Sequence, residues 1–151
     1  MTMRFAYELF GASAPILSLG GRYSRPRPMV SITLIGPLGS YLLRGLVDSG
    51  ADETIIPEFV APFLGVDLDS ATILSARGIG GSLVSVRFVD VTLRIADQHE
   101  QHEWSALVGF APLGRRTGIL GFAGFLQYFT TVLHGDREML ELTVNSLYPG
   151  T

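Results

Sequence analysis

Apolar and polar residues alternate along several stretches of the chain, which is the pattern of β-strands that turn one face toward a core. Runs of this kind predict strands at residues 29–35, 41–47, 73–76, 83–95, 104–110 and 139–144. The 18 glycines and 8 prolines are spread along the chain as punctuation, and they favour turns between these runs. The hydrophobic pattern therefore predicts a mainly β protein.

Helical periodicity is weak and confined to two segments. Residues 57–64 are predicted to form a short helical turn, and residues 121–130 to form one short helix near the C-terminus. The second segment carries four apolar residues at helical spacing: Phe122, Phe125, Leu126 and Phe129. Several short strands with glycine turns predict a closed or folded-over β-barrel. The length suits a single domain over residues 1–151.

Composition narrows the class of protein. Hydrophobic residues make up 47% of the chain and charged residues 17%, which is enough apolar material for a core. The formal net charge is −3, and the arginines in residues 22–27 are interrupted by tyrosine and proline. We therefore expect an exposed connection there and no nucleic-acid partner. The absence of cysteine excludes disulfides, thiolate metal sites and cysteine nucleophiles.

Neither a membrane partner nor a metal is expected. No apolar run is long enough to span a membrane, and the N-terminal residues lack the features of a secretory signal, so we expect a cytoplasmic protein. His99 and His102 invite a metal interpretation, but the second histidine comes one residue too early for the His-Glu-x-x-His motif. An exposed turn explains both histidines.

The stretch GLVDSGADETIIP, residues 45–57, places a carboxylate directly after an apolar strand. Burying an unpaired charge is costly, so this carboxylate needs a partner. Asp48 has two interpretations. It is an Asx turn that ends the strand, or it is a functional carboxylate that backbone N–H groups of the following Ser49-Gly50 turn can solvate without water.

Two further segments bear on that choice. Residues 78–81 (GIGG) lie at the predicted tip of a β-hairpin, and residues 119–121 (ILG) end an apolar strand. Together with residues 48–52 (DSGAD), they resemble in order and approximate spacing the motifs of the retropepsin family, the single-domain aspartic proteases of retroviruses and their cellular and bacterial relatives. The resemblance covers residues 29–144.

The resemblance implies a barrel of the acid protease type, a protein or peptide substrate and no cofactor. Asp48 would be catalytic, with Ser49 bracing the active-site loop and Gly50 presenting its backbone to the peptide. A glycine-rich flap would close over an apolar cleft. The implied substrate contacts are Ala51, Asp52, Ile55, Ile79, Gly80, Gly81 and Ile119. By the same resemblance Ile55, Ile56, Ile79 and Ile119 would be walls of the cleft, and ordinary core packing remains the alternative for each of them.

One aspartate per chain implies two chains. Aspartic proteolysis uses two carboxylates that share a proton around a water molecule. We expect a homodimer in which two-fold symmetry brings Asp48 to Asp48. The resemblance also implies that terminal strands near residues 5–9 and 139–144 interleave between subunits, whereas residues 10–28 match no pattern.

Phe122 departs from the family's pattern. Many members carry an arginine or an acidic residue there, which braces the aspartate just beyond the signature, here Asp52. We therefore expect Arg44, or an arginine of the second subunit, to brace Asp52. The predicted function is peptide-bond hydrolysis by a homodimeric aspartic endopeptidase. The alternative is a non-catalytic dimerisation or peptide-binding module with the same fold.

Overall fold

The computed structural model describes residues 1–77 and 81–150, and β-strands dominate this part of the chain. The strands are β1 (Met3–Ala6), β2 (Glu8–Ile16), β3 (Arg22–Arg27), β4 (Met29–Ile35), β5 (Ser40–Val47), β6 (Ile55–Pro57), β7 (Thr72–Arg77), β8 (Leu83–Ala96), β9 (Gln101–Ala111), β10 (Gly118–Leu120), β11 (Phe129–His134) and β12 (Met139–Val144). The α-helix α1 spans Ala61–Leu64, and 3-10 helices span Leu17–Leu19, Glu58–Val60 and Leu126–Tyr128.

Six strands close into a ring in the order β4, β5, β10, β6, β9 and β8, and β8 pairs back onto β4. The β5–β10 and β6–β9 pairs are parallel, and the other pairs of the ring are antiparallel. Strand β7 pairs with β8 and forms a hairpin outside the ring. This arrangement confirms the predicted mainly β fold with strands that fold over on themselves.

The core lies inside this ring. Its largest side chains come from alternate positions of the ring strands, as a two-residue period requires. Those that are fully buried include Ile32, Leu34, Leu43, Leu93, Phe110 and Leu120. The alternation that predicted the strands therefore reflects burial of one strand face. The predicted strands at 29–35 and 139–144 coincide with β4 and β12, and the other four lie within β5, β7, β8 and β9.

The terminal strands form a second, three-stranded sheet in the order β1, β12, β11. An aromatic cluster joins this sheet to the ring: Trp104 of β9 packs against Phe125, Tyr128, Phe129 and Tyr148, with ring centroids 5.4–6.4 Å apart. Within one chain, the two terminal strands β1 and β12 pair with each other.

Strands β2 and β3 form a separate two-stranded ribbon in the region that matched no sequence pattern. The expected exposed connection at residues 22–27 is thus a strand, although Arg25 and Arg27 are exposed as expected. Arg22 instead forms an ion pair with Glu138 at 2.6 Å. Little of the ribbon is buried, so its sequence has no need for regular apolar alternation.

The helix predicted at residues 121–130 is wrong in extent, because only Leu126–Tyr128 is helical and that turn is 3-10. Gly124 takes a left-handed φ of 89°, which interrupts any helix begun earlier. The N–H groups of Phe122 and Ala123 donate to backbone carbonyls of the loop after β5. The apolar spacing of this segment arises from packing around Trp104 rather than from a helix. The α-helix of the structure, α1, falls within the turn predicted at 57–64.

Candidate active site

Asp48 lies where β5 ends, beside the end of β10. Strand β10 runs parallel to β5 and pairs Leu120 with Val47. The Asp48 backbone N–H donates to the Leu120 carbonyl at 3.1 Å, which extends this pairing by one residue. Gly45 allows the close approach, because a Cβ there would lie 2.7 Å from the Leu120 side chain. The ILG element thus positions the backbone of Asp48.

The Asp48 carboxylate is half-buried and holds its own loop. Its Oδ1 accepts a hydrogen bond from the Gly50 N–H at 2.9 Å, and its carbonyl accepts from the Ala51 N–H at 3.2 Å. This is the Asx turn expected from Asp-Ser-Gly. The other carboxylate oxygen, Oδ2, makes no hydrogen bond with any residue that the structure describes. Ser49 and Gly50 are exposed. The carboxylate therefore combines a fixed position with one open oxygen.

The loop after Asp48 is clamped from both sides. On one side, the Phe122 and Ala123 N–H groups donate to the carbonyls of Ala51 and Asp52, each at 2.9 Å. Gly121 makes this contact possible, because a Cβ there would lie 2.7 Å from the Ala51 carbonyl oxygen. The loop is therefore held by backbone hydrogen bonds that depend on a glycine at position 121.

Thr54 completes the clamp. Its side chain is fully buried, and its hydroxyl donates to the Ala123 carbonyl at 2.8 Å. Its own carbonyl accepts from the Gly109 N–H of β9 at 2.9 Å. Reasoning from the sequence missed this residue. The signal for it was a polar residue directly before the buried run of β6, a position where an apolar side chain would otherwise be expected.

An apolar cleft of about 320 Å³ opens beside the loop. Five of the predicted site residues line it: Gly50, Ala51, Asp52, Ile55 and Ile119. The opposite wall comes from β8, through Val84, Val86 and Phe88. Ile56, by contrast, is fully buried, so for this residue core packing is the correct interpretation and a role as a cleft wall is wrong.

The predicted flap lies at the tip of the β7–β8 hairpin. Ile79 and Gly80 lie outside the described residues. Gly81 precedes β8 and takes a left-handed φ of 80°, a conformation that a residue with a side chain rarely adopts. Because β8 also forms one wall of the cleft, the hairpin and the Asp48 loop face the same space.

Asp52 is exposed and unbraced within the part of the chain that the structure describes. Arg44, the residue expected to pair with it, forms an ion pair with Glu8 instead. Phe122, at the position where the family often has a charged residue, is 58% exposed. The expected contact between Arg44 and Asp52 is therefore absent from a single chain.

Two carboxyl groups outside this site have lowered pKa values. Arg22 lowers the pKa of the Glu138 carboxyl by a hydrogen bond, and backbone N–H groups of the β8–β9 turn lower the pKa of Asp97.

No group of three or more candidate metal ligands occurs among residues 1–77 and 81–150. Within the same residues, no helix has the length and apolar character needed to cross a membrane.

Comparison with known proteins supplies the family. The retroviral aspartyl protease family matches residues 24–133, a range that includes the Asp48 loop, the β7–β8 hairpin and β10. The chain belongs to the retroviral aspartyl protease family. The matched range excludes β1, β2 and β12. No curated protein matches the chain.

A solved structure supports the retropepsin fold. A retropepsin-like aspartic protease from Rickettsia conorii has a TM-score of 0.59 and 15% identity, and the match covers 94% of this chain and 98% of that one. EIAV protease complexed with the inhibitor HBY-793 has a TM-score of 0.42 and 18% identity, with coverage of 63% and 81%. The Rickettsia protease therefore shares this fold over nearly its whole length.

Proposed function

We propose that two copies of this chain form an aspartic endopeptidase, with one Asp48 from each copy. The observation that carries the proposal is the geometry of Asp48 in a family of aspartyl proteases. The carboxylate is fixed at a strand end by β10 and its own loop, and its Oδ2 is open. A single such site is half of an acid pair.

The chemistry needs both halves. Two carboxylates held close together cannot both ionise cheaply, so the pair retains one proton. The ionised Asp48 takes a proton from a water molecule, whose oxygen attacks the peptide carbonyl carbon. The protonated Asp48 of the second copy donates to the carbonyl oxygen, which gives a tetrahedral diol. Collapse of the diol breaks the C–N bond as a proton passes to the leaving nitrogen.

The surroundings of Asp48 fit a peptide substrate. The apolar cleft begins at Gly50 and offers Ile55 and Ile119 to hydrophobic side chains next to the cleaved bond. The exposed Ser49 hydroxyl is available to the loop of the second copy. In the proposed enzyme, the β7–β8 hairpin closes over the bound peptide and excludes water around the reacting atoms.

The test compares Asp48→Asn with Asp67→Asn on a library of unfolded peptides at mildly acidic pH. Asp67 is a matched control because its Oδ1 also accepts a backbone N–H two residues on, in an exposed Asx turn. We expect Asp48→Asn to abolish cleavage and Asp67→Asn to leave it unchanged. Specific activity should fall on dilution as dimers dissociate, and pepstatin should inhibit. Cleavage that survives Asp48→Asn would refute the proposal.

The second candidate is a non-catalytic dimerisation or peptide-binding module. The unbraced Asp52 and the exposed Phe122 favour it, because both depart from the family's pattern at the edge of the cleft. A stable dimer that binds peptides without cleaving any member of the library over a broad pH range would identify this candidate.

A further inference from the structure

A second cavity adjoins the cleft. It is a groove of about 410 Å³, and it shares two lining residues, Glu53 and Phe88, with the cleft beside Asp48. On the far side of these two residues, the groove is bounded by Leu74, Leu107 and Tyr128. The groove is thus a continuation of the cleft past Glu53, and it leads away from Asp48.

The cleft and the groove lie under the same face of the β7–β8 hairpin. Leu74 pairs directly with Val86, and Thr72 pairs directly with Phe88. Directly paired residues of antiparallel strands project from the same face of a sheet. The β8 side chains that wall the cleft therefore share a face with the β7 side chains that wall the groove. A peptide that lies beneath the hairpin can reach both cavities.

The groove joins an apolar channel to one unpaired carboxylate. Leu74 and Leu107 are 56% and 53% exposed, although both face a concave surface. The amide oxygen of Gln127 is already occupied, because it accepts the Gly124 N–H at 2.7 Å. The Glu53 carboxylate makes no hydrogen bond or ion pair with any residue in the described ranges, so its charge remains available to a ligand.

We propose that this groove binds a basic side chain of the substrate, arginine or lysine, with Glu53 as the residue that selects it. The inference rests on the proposed peptide substrate. An aliphatic stem lies along Leu74, Leu107 and Phe88, as long basic side chains commonly do on apolar surface. The cationic head group bonds the Glu53 carboxylate. An acidic side chain would be repelled, and a purely apolar one would strip water from Glu53 without replacing it.

Two-fold symmetry predicts where the basic residues should lie in the substrate. A homodimer has two such grooves, one on each side of the cleaved bond. Preference for a basic residue should therefore appear twice in the cleavage profile, at equivalent distances before and after the bond. Both positions should lie beyond the residues that contact the cleft next to Asp48, because each groove begins only after Glu53.

The test measures selectivity in three chains: wild type, Glu53→Gln and Glu53→Arg. Glu58→Gln is the control, since Glu58 is an exposed carboxylate on another element. Matched peptides carry arginine, glutamine or glutamate at the profiled position. We expect wild type and the control to cleave the arginine peptide with a kcat/KM about 1.5- to fivefold above that of the glutamine peptide, the range for a partly exposed ion pair. High salt should reduce the ratio.

The two Glu53 variants should change substrate selectivity in different ways. Glu53→Gln should cleave the arginine and glutamine peptides equally, and Glu53→Arg should prefer the glutamate peptide. A general loss of fold or activity would not invert selectivity in this way. Equal cleavage of all three peptides by wild type would overturn the inference and leave the proposed endopeptidase intact.

Binding keeps the inference testable if no peptide is cleaved. Fluorescence anisotropy of the labelled peptides on the Asp48→Asn chain, with and without Glu53→Gln, needs no turnover. A Glu53-dependent preference for the arginine peptide supports the groove even if the endopeptidase proposal fails. Equal binding of the peptides, or no binding, contradicts the inference.

Discussion

Thr54 offers the most direct test of the loop clamp. Thr54→Val keeps the shape of the fully buried side chain but removes the hydroxyl that donates to the Ala123 carbonyl at 2.8 Å. One such hydrogen bond contributes about 1–2 kcal/mol when its loss leaves the acceptor without that donor. At a scale of about 2–4 °C per kcal/mol for a chain of this length, Tm should fall by about 2–8 °C.

The assay follows unfolding in urea and by heat through the fluorescence of Trp104, which is the chain's single tryptophan and lies buried in the core. Protein concentration must be equal throughout, because dimerisation makes apparent stability depend on concentration. Thr54→Ser should recover most of the hydrogen bond. Thr130→Val is the control, because Thr130 is exposed on β11. If Thr54→Val unfolds like Thr130→Val, the hydroxyl does not hold the loop and the reasoning is refuted.

Two further predictions concern the loop and the ribbon. Gly121→Ala should lower kcat/KM for peptide cleavage even under conditions in which the variant remains folded. The reason is that the added Cβ meets backbone carbonyls of the Asp48 loop and must displace the loop; unchanged kcat/KM would contradict this. The pKa of Glu138 is lowered by Arg22, so this pair stabilises the fold above the ordinary carboxyl pKa and loses its contribution as pH falls through the lowered value. Urea unfolding should therefore separate wild type from Glu138→Gln at pH 6, and the difference should shrink steadily as pH falls below the ordinary carboxyl pKa, whereas a constant difference would exclude this linkage.

The strands of the ring were predictable because each buries one face. Strands β4 and β12 match their predicted limits, and four others contain the predicted segments. The ribbon of β2 and β3 was not predicted, because it lacks a buried face. Few of its side chains are buried, so no two-residue period is imposed on its sequence. Its attachment by the Arg22–Glu138 ion pair joins residues 116 positions apart, which no local pattern reveals.

The candidate site was predictable where function constrains short motifs, and unpredictable where tertiary contacts decide. Asp48 and the ILG element meet as expected, because β10 lies beside β5. The helix at residues 121–130 failed because apolar spacing alone cannot distinguish a helix from a segment packed around Trp104. Ile55 lines the cleft and Ile56 the core, since neighbouring residues of a strand face opposite sides.

The groove past Glu53 also depends on tertiary contacts and was not predictable from the sequence. Its walls come from β7, β8, β9 and the turn after β10, and no single stretch of sequence contains it. What the sequence does contain is Glu53, an acidic residue directly after Asp52, in the loop whose first aspartate we propose to be catalytic. We propose that this carboxylate, which lines both the cleft and the groove, sets the groove's specificity.

The most direct measurement of the central claim is the distance between the two Asp48 carboxyl groups in a crystal structure of the protein with pepstatin bound. We expect a two-fold axis between them, with the carboxyl oxygens about 3 Å apart and both in contact with the inhibitor's hydroxyl. A structure in which Asp48 lies far from every symmetry-related Asp48 while the inhibitor occupies the cleft would contradict it.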